Sequence, residues 1–297
     1  TYFTLQGFSH LDVPQVFLFV GILLMFLITM TGNFLIIIVA TAHPALHTPM
    51  YYFLKNLAFI EICFTLDIVP KMLVDLLLET KVISFSACAL QLSLVILLIS
   101  SECFLLGAMA YDRCLAICHP LHYVVRMNRS VCFHVVVTCW IAGIAPSVGL
   151  TSWLFSFPFC GSREVEHFFC DIAPLLDLAC SDTHLLKLHL FMATVAIVWI
   201  PFALTAASYV QITHTILQMP SAEGRRKAFS TCAAHLVVVT LFYSTAGLVH
   251  FKSSLWASRR KLVALSYTVV TPMLNPIIYS LRNTEVRRAL RKTFGRR

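Results

Sequence analysis

Between Pro14 and Ala40 the chain reads PQVFLFVGILLMFLITMTGNFLIIIVA, 27 residues without a charged side chain. About 20 apolar residues in a helix cross a hydrocarbon core of ~30 Å, so this stretch is long enough to span a bilayer. It is too long for the apolar core of a cleaved leader, and no basic flank precedes it. Six further stretches of the same kind follow. The spans are read at 14–40, 50–78, 87–118, 130–152, 185–217, 225–250 and 260–281. The third and fifth are long enough to project into water. Composition agrees, with 59% hydrophobic and only 12% charged residues, where a soluble domain carries about a quarter charged. No hydrophilic stretch is long enough for a separate domain. The expectation is an all-α membrane protein, a seven-transmembrane helix bundle forming one domain over residues 1–297.

Charge placement sets the expected topology. Arg126 and Arg129 follow the third span, Arg225, Arg226 and Lys227 precede the sixth, and seven basic residues lie between Arg282 and Arg297. With seven spans these fall on one side, the cytoplasmic side by the positive-inside rule, with the N-terminus outside. Arg259, Arg260 and Lys261 are the misfit, landing outside. The net charge of +8 is thereby read as topology. No basic stripe is interleaved with exposed aromatics, so nucleic acid is not an expected partner. Residues 283–294 read as a short amphipathic helix on the bilayer, with Ala289, Leu290 and Phe294 toward lipid and arginines toward headgroups.

Four of the 11 cysteines lie on the expected outer side: Cys88, Cys160, Cys170 and Cys180. An oxidising exterior allows disulfides there, and spacing leaves all three pairings open. Inside the spans, Glu61 and Glu102 are carboxylates and Asn33 and Asn275 are carboxamides. Such residues are costly in lipid and mark function by default. One reading is a cluster of the four that holds a cation, at Glu61 and Glu102, or a proton and biases one helix arrangement; the other is a hydrogen-bonded node joining helices. Pro201, Pro272 and Pro276 interrupt the fifth and seventh spans and leave carbonyls unpaired.

Longer strings carry a resemblance. Met109-Ala110-Tyr111-Asp112-Arg113-Cys114 at the inner end of the third span, and Asn275-Pro276-Ile277-Ile278-Tyr279 in the last, resemble rhodopsin-like G-protein-coupled receptors. Leu46-His47-Thr48-Pro49-Met50-Tyr51-Tyr52-Phe53-Leu54, Lys227-Ala228-Phe229-Ser230-Thr231-Cys232-Ala233-Ala234-His235-Leu236 and Pro272-Met273-Leu274-Asn275 narrow this to the olfactory (odorant) receptors, in the pattern of the tetrapod class II subgroup. The chain departs from that pattern at Cys114, where Tyr is usual, at Glu61, where Asp is commoner, and at Lys55, where a small polar residue is usual.

The resemblance implies disulfides Cys88–Cys170 and Cys160–Cys180 over the outer mouth. It implies a ligand cavity in the outer half, walled by Val95, Ile96, Ile99 and Ser100, by Ala193, Thr194 and Ile197, by Tyr243, Ala246, Gly247 and His250, and by Leu265 and Thr268. In the inner half it implies a switch in which Asp112 holds Arg113 at rest. Tyr209, His235 and Tyr279 exchange partners with Arg113, and Arg126, Arg225 and Arg226 rim the G-protein site. The implied partners are a small volatile odorant, a stimulatory olfactory-type heterotrimeric G protein and the plasma-membrane bilayer. The alternatives weighed are a non-olfactory rhodopsin-like receptor for a small ligand and, more remotely, a membrane enzyme or transporter. No nucleophile elbow, zinc motif or phosphate loop is present, and no repeat of duplicated halves. The histidine pairs His43/His47 and His119/His122 resemble the boxes of di-iron desaturases but lack the further pairs two metals need. His167-Phe168-Phe169-Cys170-Asp171 has metal-ligand residue types, yet a disulfide at Cys170 removes its thiolate. No catalytic residue and no metal is expected.

Overall fold

The computed structural model describes residues 2–8, 14–250, 260–282 and 286 and is mostly helical. Its helices are α1 (Gln15–Ala42), α2 (Pro49–Leu77), α3 (Phe85–Cys118), α4 (Pro120–Arg126), α5 (Arg129–Phe155), α6 (Ile172–Asp177), α7 (His184–Thr194), α8 (Ile200–Gln218), α9 (Ala222–His250), α10 (Arg260–Leu265) and α11 (Thr271–Arg282). A π-helical turn, Val195–Trp199, joins α7 to α8, and another, Ser266–Val270, joins α10 to α11. With these two joints the helices make seven long rods, each within about four residues of the sequence reading. Of the expected amphipathic helix at 283–294, only Val286 is described, as helical and buried.

Five rods are long and apolar enough to cross a membrane, and a sixth is made of Ala222–Ser230 and Cys232–Thr245, bent by 42°. The seventh, α2, has 29 residues but carries Lys55, Glu61, Asp67, Lys71 and Asp75. Burial resolves the conflict: Glu61 and Asp75 are buried, and Lys71 pairs with Asp75 one helical turn away. In α1 two stripes run at helical spacing, the inward one apolar but for Thr29 and Asn33, the outward one largely apolar. Ile22, Asn33, Ile36 and Ala40 face the bundle, while Phe17, Val20, Leu24, Leu27, Phe34 and Ile38 are exposed. A helix apolar on its outward face as well is a lipid-facing helix.

Helix starts follow the local chemistry. Ser84 caps α3 by accepting from the Ala87 N–H (3.2 Å), and Asn128 caps α5 through Val131 (3.0 Å). Pro49 and Pro120 open α2 and α4, where a missing N–H costs nothing. At the centre, α3 packs against α2, α5 and α8. Its approach to α5 depends on Gly143: a Cβ there would lie 2.8 Å from Ser101 Oγ and 2.9 Å from the Leu97 carbonyl oxygen. Because the carbonyl is backbone, it cannot swing aside. Gly143→Val is therefore expected to cost about 1–3 kcal/mol by overpacking, read as a Tm several degrees lower in thermal unfolding of the purified protein.

One end of the bundle carries a feature absent from the sequence reading, a three-stranded sheet ordered β2-β1-β3. The strands are β1 (Tyr2–Leu5), β2 (Val82–Ser84) and β3 (Glu164–Val165). β1 pairs antiparallel with β2, Phe3 opposite Ile83, and parallel with β3, Leu5 opposite Val165. The Phe3 ring is fully buried and stacks on Phe85 (6.0 Å) with Phe159 edge-on (5.2 Å). Lys261 Nζ donates to the Gly7 carbonyl (2.8 Å). That bond gives one of the misfit basic residues a structural task, tying the N-terminal segment to the last rod.

Candidate ligand pocket and inner switch

The sheet end is closed by the segment between α5 and α7. Cys88–Cys170 and Cys160–Cys180 are bonded, with Cα separations of 5.5 and 5.8 Å. Gln91, buried on α3, works beside the first bridge. Its Oε1 accepts from the Cys170 N–H (2.9 Å) and its Nε2 donates to the Asp67 carbonyl (3.0 Å). One carboxamide thus ties the cap to α2 and α3. Sequence reasoning missed it, although a Gln one turn after an outer cysteine is a polar residue in a span and could have been flagged.

Below the cap, the expected wall residues divide between two apolar clusters. Val95, Ile99, Ile197, Tyr243 and Leu265 belong to the main core, while Ile96 and Ala193 pack into the sheet-end cluster with Phe3, Leu92 and Leu186. The polar wall residues are engaged with their own helices. Ser100 Oγ donates to Ile96 O (2.6 Å), Thr194 Oγ1 to Leu190 O (2.9 Å) and Thr268 Oγ1 to Ala264 O (2.8 Å). Tyr243 donates across to the Cys103 carbonyl (3.4 Å). The side chains of Ala246, Gly247 and His250 lie outside the described residues.

Both π turns fall within this wall, at Ile197 and at Thr268, and each ends shortly before a proline, Pro201 or Pro272. Proline lacks an N–H and clashes with the carbonyl four residues back, which is Ile197 or Thr268 itself. The helix answers by shifting to i→i+5 bonding: the Ile200 N–H reaches Val195 O, and the Thr271 N–H reaches Ser266 O. Such turns bulge and re-aim side chains, and they recur at functional sites.

At the middle of the bundle Asn275 Nδ2 donates to the Glu61 carboxylate, and Glu102 lies beside Glu61. Glu102 Oε1 and Asn275 Oδ1 are buried acceptors without a protein donor. Asn33, buried on α1, donates to the Thr29 carbonyl (3.0 Å) of its own helix. Three of the four cluster residues are thus brought into one polar site. Among the described residues no group of three metal-ligating side chains is found.

Toward the opposite end, Asp112, Arg113, His235 and Tyr279 are all buried. The Arg113 charge is felt at Tyr209, His235 and Tyr279, so these four groups share one neighbourhood. Tyr209 Oη and His235 Nδ1 are hydrogen-bonded (2.6 Å), and the Tyr279 hydroxyl is buried without a partner. Asp112 has a partner the sequence reading did not name: Tyr123 of α4 donates to its Oδ1 (2.9 Å). Burial, and then the Asp112 carboxylate, push the Tyr123 hydroxyl up, so it remains a donor at physiological pH. Cys114, in place of the usual Tyr, sits 3.9 Å from Cys118 and 3.3 Å from Gln211 Oε1. Of the rim arginines, Arg126 and Arg226 are exposed, and Arg225 donates to Met219 O (2.8 Å). Tyr123→Phe is expected to free α4 from α3. A hydrogen bond to a charged group is worth ~1.5–3 kcal/mol, so amide exchange over residues 120–126 should quicken about tenfold or more.

A seven-rod bundle with lipid-facing apolar surfaces, a stapled cap and a buried polar path is the build of a multi-pass membrane receptor. The olfactory receptor family model matches residues 22–297. Human olfactory receptor 10A7 is 50% identical over 99% of this chain and 93% of its own length. Human olfactory receptors 10A5 and 10A3 are 51% and 48% identical, over 98% and 99% of this chain and 93% and 95% of their own lengths. The chain belongs to the olfactory receptor family. It is a G-protein-coupled receptor of the plasma membrane and not an enzyme.

Proposed function

We propose that this receptor binds a small, mostly apolar volatile odorant beneath the cap and activates a stimulatory olfactory-type G protein, raising cyclic AMP. In this reading the sheet end and the N-terminus are extracellular, and the arginine-rich end is cytoplasmic. The observation that carries it is the juxtaposition of Arg113 with Tyr209, His235 and Tyr279, one group from each of four rods. A rotation of α9 or α11 must rearrange all of them together. A ligand that prefers the rearranged state shifts the population toward it.

The pocket chemistry narrows the ligand. Ser100, Thr194 and Thr268 donate their hydroxyl protons to backbone carbonyls, so each has only an acceptor lone pair to offer a guest. Such a wall accepts hydrogen bonds, which suits an alcohol or similar weak donor better than an acid. At about 25 cal/mol per Å² of apolar surface a small odorant gains only a few kcal/mol, so micromolar or weaker affinity is expected. The acceptor oxygens of Glu102 and Asn275 beside Glu61 supply what a cation needs, and two adjacent carboxyls need a shared proton or a cation between them. The test is a cyclic-AMP assay in cells, with and without the olfactory-type G protein, against a panel of alcohols, acids and hydrocarbons of matched carbon number. Alcohols should give the strongest G-protein-dependent response. Ligand-driven flux without cyclic AMP would point to a transporter instead.

A further inference from the structure

Two cavities lie along α3, α4 and α5, and none of the expected ligand-wall residues lines either of them. One, of about 340 Å³, is walled by Ala108, Tyr111 and Leu115 of α3 and by Arg126 of α4. The other, of about 500 Å³, is walled by Phe104, His134, Thr138 and Ala142. Both include Val131 and Val135 in their walls, so they are two ends of one groove.

The groove has the dimensions and polarity of a lipid chain in one leaflet. From Val131 to Ala142 α5 rises roughly 16 Å, about half of a ~30 Å hydrocarbon core. One end carries the exposed guanidinium of Arg126, and Arg129 stands exposed at the start of α5. Neither cavity has a carboxylate in its lining. Buried Leu115 and Met127 give it a floor, while Tyr111 at its side is half exposed, so the groove opens laterally. A lateral opening admits one chain of a two-chain lipid while the other stays in the bilayer.

We infer that this groove holds an anionic glycerophospholipid, one acyl chain along Val131–Ala142 and its phosphate on Arg126. The occupant bears on the switch through α4. Arg126 and Tyr123 lie on the same short helix, so a phosphate that pins Arg126 also steadies the Tyr123–Asp112 hydrogen bond.

The test is native mass spectrometry of the full-length receptor in detergent, supplemented with phosphatidylglycerol, phosphatidylcholine or cholesterol. The wild type should retain phosphatidylglycerol over phosphatidylcholine by about fivefold, the weight of one basic residue at an anionic surface. Arg126→Gln should abolish that preference, and Val135→Trp, which fills the shared wall, should reduce retention of both phospholipids. Arg126 is exposed, so its variant keeps the test decisive if Val135→Trp fails to fold. Equal retention of the two phospholipids by the wild type, or an unchanged preference in Arg126→Gln, would overturn the proposal. Cholesterol retained ahead of both phospholipids would overturn it in favour of a sterol.

Discussion

Arg113→Ala is expected to bring ligand-driven cyclic-AMP output down to that of cells lacking the receptor, at matched surface delivery. Arg113 is only 4% exposed and lies among Tyr209, His235 and Tyr279, beside Asp112. A two-state switch that moves from one part in a hundred to ninety-nine needs ~5.5 kcal/mol of differential interaction. Each hydrogen bond to a charged group supplies ~1.5–3 kcal/mol, so removing the guanidinium removes most of what separates the two states. Asp112 would keep its Tyr123 bond and α3 its helical core, so delivery to the surface should persist. Flow cytometry fixes the denominator and a dose–response curve reads the numerator. Full ligand-driven output at equal surface density would sink the switch reading. Arg113→Lys, which keeps the charge without the planar fork, should fall between the two.

The second large effect concerns the cap. Cys88→Ser opens a bridge that closes 82 residues of chain, and Cys160→Ser one that closes only 20. By chain entropy the longer loop is worth on the order of 4–5 kcal/mol and the shorter about 3. Cys88 is also fully buried, and its loss frees the segment that Gln91 holds. Against a total stability of ~5–15 kcal/mol, Cys88→Ser should cut surface delivery more than tenfold. Cys160→Ser should leave a measurable fraction. Similar delivery of both variants would show that loop closure is not what the first bridge contributes.

The rods were legible in the sequence because a long apolar run has few other fates. The apolar runs at 14–40 and 87–118 fold as the helices Gln15–Ala42 and Phe85–Cys118. α2 was legible too, although its five charges remove it from a purely apolar criterion, because the window is long and its charges are well separated. The joints were half legible. Pro201 and Pro272 announced broken ladders, but whether the backbone answers with a kink or a π turn depends on packing around Ile197 and Thr268. The sheet was not legible, since strands of two to four residues have no usable period and their partners lie some 80 and 160 positions away. Tyr123 and Gln91 were missed for a related reason. Each is a single polar residue whose importance lies in a partner on another element.

The candidate site shows the same division. Arg113 and its surroundings were named through a motif, and the structure gathers them. The ligand wall rests on the family resemblance, and here Ile96 and Ala193 sort with the sheet-end cluster while Val95, Ile99 and Tyr243 sort with the core. A few degrees of helix rotation decide that, and only packing sets them.

The N-terminal strand imposes an order in time. β1 is made before both of its neighbours, and its parallel partner at Leu5↔Val165 emerges 160 residues later, roughly 8–30 s at ribosomal speed. Through that interval Phe3 and Leu5 have no finished surface to cover. The sheet is consequently a late checkpoint: it closes only after four rods are made and the segment carrying Cys170 has arrived. Chains that stall before that point would display an unpaired strand edge and two naked apolar side chains, a signature by which quality control can tell unfinished receptors from finished ones.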